Sequence, residues 1–178
     1  MTYMSDQSIV MNNDIISLVL LQLGIDDVME SSLVSRRFTR VVGSNYLWYH
    51  LYKRDYGEFY ENLKRDTFCE TYRLCHDLGK LNEKLKMNMK IDKLYNSKEL
   101  VQTYSGIAAI PREISHLVNL QWFILRFTQI TVIPREIGQL VNSQRLDLSF
   151  NKITTIPSEI GQLINLQQLS LSPNRITA

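Results

Sequence analysis

Cysteine is scarce: Cys69 and Cys75 are the only two in 178 residues, too few for the disulfide framework that staples small secreted domains. No apolar run reaches the roughly 18 residues that mark a membrane-spanning helix. The Met1–Asn13 segment lacks the basic start and apolar core of a secretory signal. Net charge is only +2, so no general attraction to nucleic acid or to an anionic membrane is expected. There is no glycine-rich phosphate loop, no Ser-His-Asp elbow motif and no pair of carboxylates at recognisable catalytic spacing. Cys69, Cys75 and His76 lack the fourth ligand a zinc site needs. Together these absences predict no metal, no cofactor and a reducing intracellular compartment.

What is present is ordinary for a folded protein: 44% hydrophobic and 21% charged residues, enough for one or two small domains. The stretch that organises the N-terminal third runs from Asp14 to Leu23. Only Ser17 and Gln22 interrupt Ile15, Ile16, Leu18, Val19, Leu20, Leu21 and Leu23. A helix apolar nearly all round is buried on more than one side, so neighbouring helices and a partner protein are both expected to cover it. Gly24 is expected to end this helix in a left-handed conformation. Asp27 and Glu30 fit a capping box for the next, with Val28, Leu33, Val34, Phe38, Val41 and Val42 as its buried stripe. Trp48, Leu51 and Tyr52 recur at helical spacing up to Gly57. Thr67 and Glu70 again fit a capping box, for a helix ending near Leu78 with Gly79 as terminator.

The order Asp14-Ile15-Ile16, Asp26-Asp27, Ser32-Leu-Val-Ser-Arg-Arg-Phe38 and Leu47-Trp48 resembles the F-box. In that family this helical module docks on the Skp1 adaptor of cullin-type ubiquitin ligases. Family members usually open Leu-Pro-x-Glu, where this chain has Met11-Asn12-Asn13-Asp14, and Ser35 stands in place of their usual Cys. The resemblance implies that Met11, Asn12, Ile15, Ile16, Val19, Leu23, Leu33 and Val34 are the residues at the adaptor, though sequence cannot divide core from interface among the apolar ones.

From Lys80 to Lys98 the composition turns basic. Leu78, Leu81 and Leu85 continue a helical stripe, whereas Met87, Met89 and Ile91 alternate as in a strand. A helix decaying into a connector with a solvated basic face is expected.

The C-terminal part is a repeat. Ile110-Pro111, Ile133-Pro134 and Ile156-Pro157 recur every 23 residues, as do Glu113, Glu136 and Glu159 and then Leu117, Leu140 and Leu163. This period resembles the typical intracellular leucine-rich repeats. Leu166-Gln-Gln-Leu-Ser-Leu-Ser-Pro-Asn174-Arg-Ile176 carries the whole consensus, while Ser143 and Thr128 depart from it in the earlier copies. Leu100, Ser105 and Ile107 mark a degenerate leading repeat. Asn151 and Asn174 are expected to satisfy backbone groups at a sharp turn. Pro134 and Pro157 suit the first turn of a short helical return arm, and Ser143 is expected to loosen the core. No polar capping repeat follows, so the last coil is expected to be exposed or covered by a partner.

The architecture read from these patterns is α+β, a helical module followed by a short α/β solenoid. Its segments are a flexible N-terminus at 1–10, an F-box-like module at 11–55, a helical connector at 56–98 and the solenoid at 99–178. Residues between the inward leucines line the concave face, in rows Trp122, Arg145, Gln168 and Ile124, Asp147, Ser170, then Arg126, Ser149, Ser172. Trp122, Ile124, Arg126, Arg145, Asp147 and Gln168 are the candidate target-binding residues, since Trp and Arg are common interface anchors. The competing readings are packing of Trp122 on the helical module and solvated ion pairs for the charges.

Resemblance to F-box/leucine-rich-repeat proteins implies a non-catalytic substrate receptor. It would bind a Skp1-like adaptor, and through it a cullin, and would hold an unidentified target protein, in the cytoplasm or nucleus of a eukaryotic or virus-infected eukaryotic cell. Two alternatives stand beside it. One is a repeat scaffold that does not engage Skp1. The other is a ligase in which Cys75, in Cys75-His76-Asp77, is the nucleophile; it resembles the Cys-x-Asp motif of some bacterial effectors.

Overall fold

A computed structural model describes residues 16–33, 36–57 and 63–177. The chain divides into two compact units, Met1–Arg73 and Leu74–Ala178.

In the first unit, residues 16–20 are helical and are followed by α1 (Ile25–Ser31), α2 (Arg36–Val42) and α3 (Asn45–Tyr56). Gly24 does not end a helix in the left-handed region. Its φ is −71°, and it is the N-cap of α1. The preceding helix stops at residue 20, and Arg54 does the terminating work. Its Nη1 donates to the Leu21 carbonyl at 2.5 Å and the Leu23 carbonyl at 3.1 Å, placing a cation at the negative end of the helix. Because α1 starts at Ile25, Asp26 and Asp27 lie inside its first turn, and the expected Asp27–Glu30 capping box gives way to two carboxylates on the helix dipole.

Ser44 caps α3, accepting from the Leu47 N–H at 3.4 Å, and Gly57 ends it at φ 69°. The Thr67–Glu70 box forms as its spacing predicts. The Glu70 N–H donates to Thr67 Oγ1 at 3.2 Å, and the Thr67 N–H to Glu70 Oε2 at 3.3 Å. The core of this unit is Val28, Leu47, Trp48, Leu51, Tyr52, Leu63 and Tyr72, all buried. Trp48 satisfies its one polar atom by donating to the Val42 carbonyl at 2.5 Å. Burial pushes the Tyr72 hydroxyl well above its ordinary range, and its hydrogen bond to Asp55 pushes it further.

Leu33 departs from the expected buried stripe: it is 87% exposed. The helical spacing that would turn it inward is broken, because α1 ends at Ser31 and Leu33 sits in the turn after it.

Helix α4 (Phe68–Lys84) begins in the first unit and continues in the second. Gly79 does not stop it, although glycine costs a helix about 1 kcal/mol relative to alanine. Leu78, Leu81 and Leu85 are fully buried along its continuation, and that burial, about 1.5–3 kcal/mol per side chain, outweighs the glycine. After Lys84 the chain is irregular until α5 (Ile91–Tyr95), so the alternation of Met87, Met89 and Ile91 is not a strand. Asn82 fixes this bend, donating from Nδ2 to the Met89 carbonyl at 2.9 Å and accepting the Met89 N–H at 3.3 Å.

Four parallel strands follow in sequential order: β1 (Glu99–Thr103), β2 (Trp122–Arg126), β3 (Arg145–Asp147) and β4 (Gln168–Ser170). Each neighbour is shifted by one 23-residue period, pairing Glu99 with Trp122, Trp122 with Arg145 and Arg145 with Gln168. The strand at 99–103 is the degenerate leading repeat. The return arms are short 3-10 helices, Arg112–His116, Arg135–Gln139 and Ser158–Gln162. Pro111, Pro134 and Pro157 are their N-caps, one position earlier than expected, where the missing amide likewise costs nothing.

Leu100, Ile114, Leu117, Leu120, Phe123, Leu125, Ile130, Ile137, Leu146, Leu148 and Ile153 form one continuous buried column. The α4 end of that column is tied down by Lys84 Nζ, 2.9 Å from Glu113 Oε1, and by His116 Nε2, 3.1 Å from Asp77 Oδ2. Burial raises the Glu113 carboxyl, but its bonds to Lys84 and to its own backbone outweigh that and hold it below its usual value. At the other end Leu169 and Ile176 are exposed, although their counterparts Leu146 and Ile153 are buried. Each coil needs a neighbour to hide its leucines.

Ser143 does not simply loosen the core. It is buried, and its hydroxyl donates to the Leu120 carbonyl at 3.2 Å, so the polar group is satisfied by the coil before it.

Gly138 and Gly161 occupy the same place in successive repeats but differ in surroundings. A Cβ on Gly138 would come within 2.7 Å of the Glu159 carbonyl oxygen, whereas one on Gly161 would meet nothing within 4 Å. Gly138→Ala is therefore expected to destabilise the second unit by about 1–3 kcal/mol through overpacking. Gly161→Ala is expected to be neutral or slightly stabilising, by less than about 1 kcal/mol. Urea midpoints of the two variants check this contrast, and equal midpoints would contradict it.

Candidate protein-binding surfaces

The repeats build their concave face from turns that only certain side chains can close. Asn151 Nδ2 donates to the carbonyls of Leu125 at 2.7 Å and Leu148 at 3.0 Å, while its Oδ1 accepts the Ile130 N–H at 3.2 Å. Asn174 repeats the pattern, accepting the Ile153 N–H at 2.9 Å and donating to Leu148 O at 2.9 Å. At the matching place in the earlier coil, the Thr128 hydroxyl donates to Asn151 Oδ1. A second set sits at the start of the strands, where Asn142 and Asn165 donate to the carbonyls of Val118 at 2.8 Å and Val141 at 2.7 Å. These side chains satisfy backbone groups that apolar residues could not.

Two of the three expected rows lie in register on that frame. Trp122, Arg145 and Gln168 are register partners, as are Ile124, Asp147 and Ser170. Trp122 is 48% exposed. With Gln144, Arg145, Gln167 and Gln168 it lines a shallow groove of about 480 Å³. Ile124, Arg126 and Arg145 are half-buried and Gln168 is exposed.

Asp147 differs from the others, being only 4% exposed. Its Oδ1 accepts the Ser149 N–H at 3.1 Å and the Ser149 hydroxyl at 2.7 Å. Its Oδ2 lies 3.7 Å from Arg126 Nε and 3.9 Å from Arg145 Nη2. It orients the two arginines from below, where the sequence reading placed it at the surface as a direct contact.

At the strand ends Tyr104, Phe127 and Phe150 form a ladder, with ring centroids 4.7 Å and 4.1 Å apart. All three are left-handed, with φ of 54°, 51° and 58°, a conformation uncommon outside glycine. The alignment of Phe127 with Phe150 is visible in the sequence, and Tyr104 lies one 23-residue period before Phe127. Its stacking was not anticipated, because the leading repeat is too degenerate to draw attention to that position.

The first unit has exposed apolar side chains of its own. Leu18 is 62% exposed and Val19 56%, and Leu33 is exposed as well, whereas Ser17 and Leu20 face inward. Ile16 and Leu23 are half-buried. Met11, Asn12, Ile15 and Val34 lie outside the described residues. Leu18 matches an apolar position of the F-box in sequence, and its place on the short helix shows it to be exposed.

Cys75 is fully buried, so its sulfur is closed to a large substrate in this conformation. Cys69 is half-buried, and burial pushes its thiol up against the lowering effect of Arg73. Among the described residues no group of three or more His, Cys, Asp or Glu side chains is placed to hold a metal ion, and no helix is long and apolar enough to cross a membrane.

Residues 107–176 match the family model of the leucine-rich repeat. No curated protein matches the chain. Among solved structures, a leucine-rich repeat protein of Leptospira interrogans is 30% identical over 57% of this chain and 34% of its own, with a TM-score of 0.43. A plant ice-binding protein is 33% identical over 47% of this chain and 27% of its own, with a TM-score of 0.42. An internalin of Listeria monocytogenes is 29% identical over 57% and 31%, with a TM-score of 0.46. This chain thus spans about a third of the length of the structures it matches. The parallel strands, 3-10 return arms and asparagine-closed turns of residues 107–176 have the form of the repeat whose model they match.

Proposed function

We propose that this chain is a non-catalytic substrate receptor of a Skp1–cullin–F-box ubiquitin ligase. Its N-terminal helical unit would dock on a Skp1-like adaptor, and its repeats would hold the protein to be modified. The observation that carries this reading is the exposure of Leu18, Val19 and Leu33 on a small unit in which Val28, Leu47, Trp48 and Leu51 are buried. Large apolar side chains left exposed favour a protein partner. They lie in the segment whose order of residues resembles the F-box. The repeats would recruit the target, and transfer would be accelerated by effective concentration alone, with no reacting group from this chain. Such a role belongs in the cytoplasm or nucleus of a eukaryotic or virus-infected eukaryotic cell.

The test is a binding assay between the purified chain and purified Skp1. Binding at micromolar Kd or tighter is expected, with at least about a hundredfold loss on Leu33→Asp, since a charge buried in an apolar contact costs several kcal/mol. The same substitution should leave folding unchanged to within about 0.5 kcal/mol, as befits an exposed site. A folded chain that ignores Skp1 at high concentration would reduce the function to that of a repeat scaffold, the reading favoured by Asn12 in place of the family's proline.

A further inference from the structure

We infer that the concave face receives an extended segment of a partner protein with an acidic side chain seated between Arg126 and Arg145. This rests on the reading of the repeats as the target-binding surface and names the chemistry of the target.

Two guanidinium groups flank one carboxylate. Asp147 is buried, and Ser149 already occupies its Oδ1. Its Oδ2 stands at 3.7 Å and 3.9 Å from the two arginines, close enough to hold them by charge but beyond ordinary hydrogen-bond length. The Nε atoms of both Arg126 and Arg145 are buried and have no hydrogen-bond partner. Arg126 is further oriented by lying 5.4 Å and 5.5 Å from the ring centroids of Phe127 and Phe150. The result is a pair of partly exposed guanidinium groups held around one carboxylate, with a local charge of +1.

A guanidinium fork matches a carboxylate or a phosphate in two-point geometry. A carboxylate fits better here. A single negative charge neutralises the cluster, whereas a phosphate dianion would overshoot it beside the fixed charge of Asp147.

The groove beside Arg145 fits the rest of a peptide. Gln144, Gln167 and Gln168 offer the paired donors and acceptors that an extended backbone requires, and Trp122 supplies the flat apolar floor. Glu99, exposed and in register with Trp122 on β1, repels an acid at that edge. The anion is thereby directed to the β2–β3 side.

The experiment is selection of a random-peptide display library on the folded chain. Enriched peptides would then be synthesised and titrated against the wild type, the Arg126→Gln/Arg145→Gln double variant, Arg145→Lys and Trp122→Ala. Circular dichroism would confirm that each variant is folded. The expected result is enrichment in Asp and Glu, with binding at least tenfold weaker to the double variant. Arg145→Lys should also weaken it, because the charge remains while the fork is lost.

Neutral or basic peptides that still depend on Trp122 would overturn the acidic assignment and leave the target-binding surface standing. Tenfold tighter binding of the same peptide with phosphoserine in place of its acid would overturn the carboxylate in favour of phosphate. Enriched peptides indifferent to all these substitutions, or no enrichment at all, would overturn both the acidic assignment and the concave surface as a binding site.

Discussion

Replacing Asn151 with alanine is expected to cost the repeat unit about 3–5 kcal/mol, enough to remove most of the stability of a small domain. The side chain is nearly buried and is the hydrogen-bond partner of the Leu125 carbonyl, the Ile130 N–H and the Thr128 hydroxyl. Its other acceptors are insured: Leu148 O also receives Asn174, and Ser149 O also receives the Phe127 N–H. Three polar groups thus lose their partner inside a buried turn, at about 1–3 kcal/mol each before relaxation. Trp122 reports on this unit by fluorescence in a Trp48→Phe background, and a urea titration gives the loss. A change below about 1 kcal/mol would mean that water reaches the turn and that the asparagine ladder is ornamental. Thr128→Val tests the same network from its donor side. It is expected to cost less, because Asn151 keeps its bonds to the backbone.

Trp48→Ala is expected to unfold the helical unit. Trp48 is fully buried, packs at 5.4 Å from Tyr72 and donates to the Val42 carbonyl. Large-to-small replacement of a buried tryptophan costs about 3–5 kcal/mol. A single core in a unit of this size, Met1–Arg73, rarely supplies more than about 3–5 kcal/mol in total. Loss and supply are of the same order, so the variant should lose the near-ultraviolet circular dichroism of this unit and its cooperative transition together. Trp48→Phe keeps most of the buried area and is expected to retain the fold with a smaller cost. If Trp48→Ala kept a cooperative transition within about 1 kcal/mol of the wild type, the helical unit would not be organised around this side chain.

The two units were legible to different degrees, and for different reasons. In the repeats each residue's environment is set by its place in a period, so a single 23-residue spacing predicted register, inward column and concave rows at once. Where it misled, a hydrogen bond that the period does not encode was the cause, from the neighbouring coil in one case and from two residues along the same coil in the other. Ser143 looked like a defect until the Leu120 carbonyl stood opposite its hydroxyl. Asp147 looked like a surface contact until Ser149 closed over it. In the helical unit there is no period, and capping signals compete. Gly24 and Gly79 both carry the mark of a helix terminator. One became an N-cap because Arg54 closed the preceding helix, and the other was carried through by the buried leucines beyond it.

The amino-acid sequence by itself determined that the C-terminal part is a leucine-rich solenoid, since leucine and asparagine at fixed intervals permit almost no other burial of so many apolar side chains. It also determined the helical character of the N-terminal part and the burial of Trp48. Only the tertiary structure decided which apolar residues of the helical unit remain outside the core, because that depends on how short helices turn between one another and not on their composition. Only it showed that Arg126 and Arg145 share one buried carboxylate. They lie on successive coils, and the parallel register of β2 and β3 brings them together.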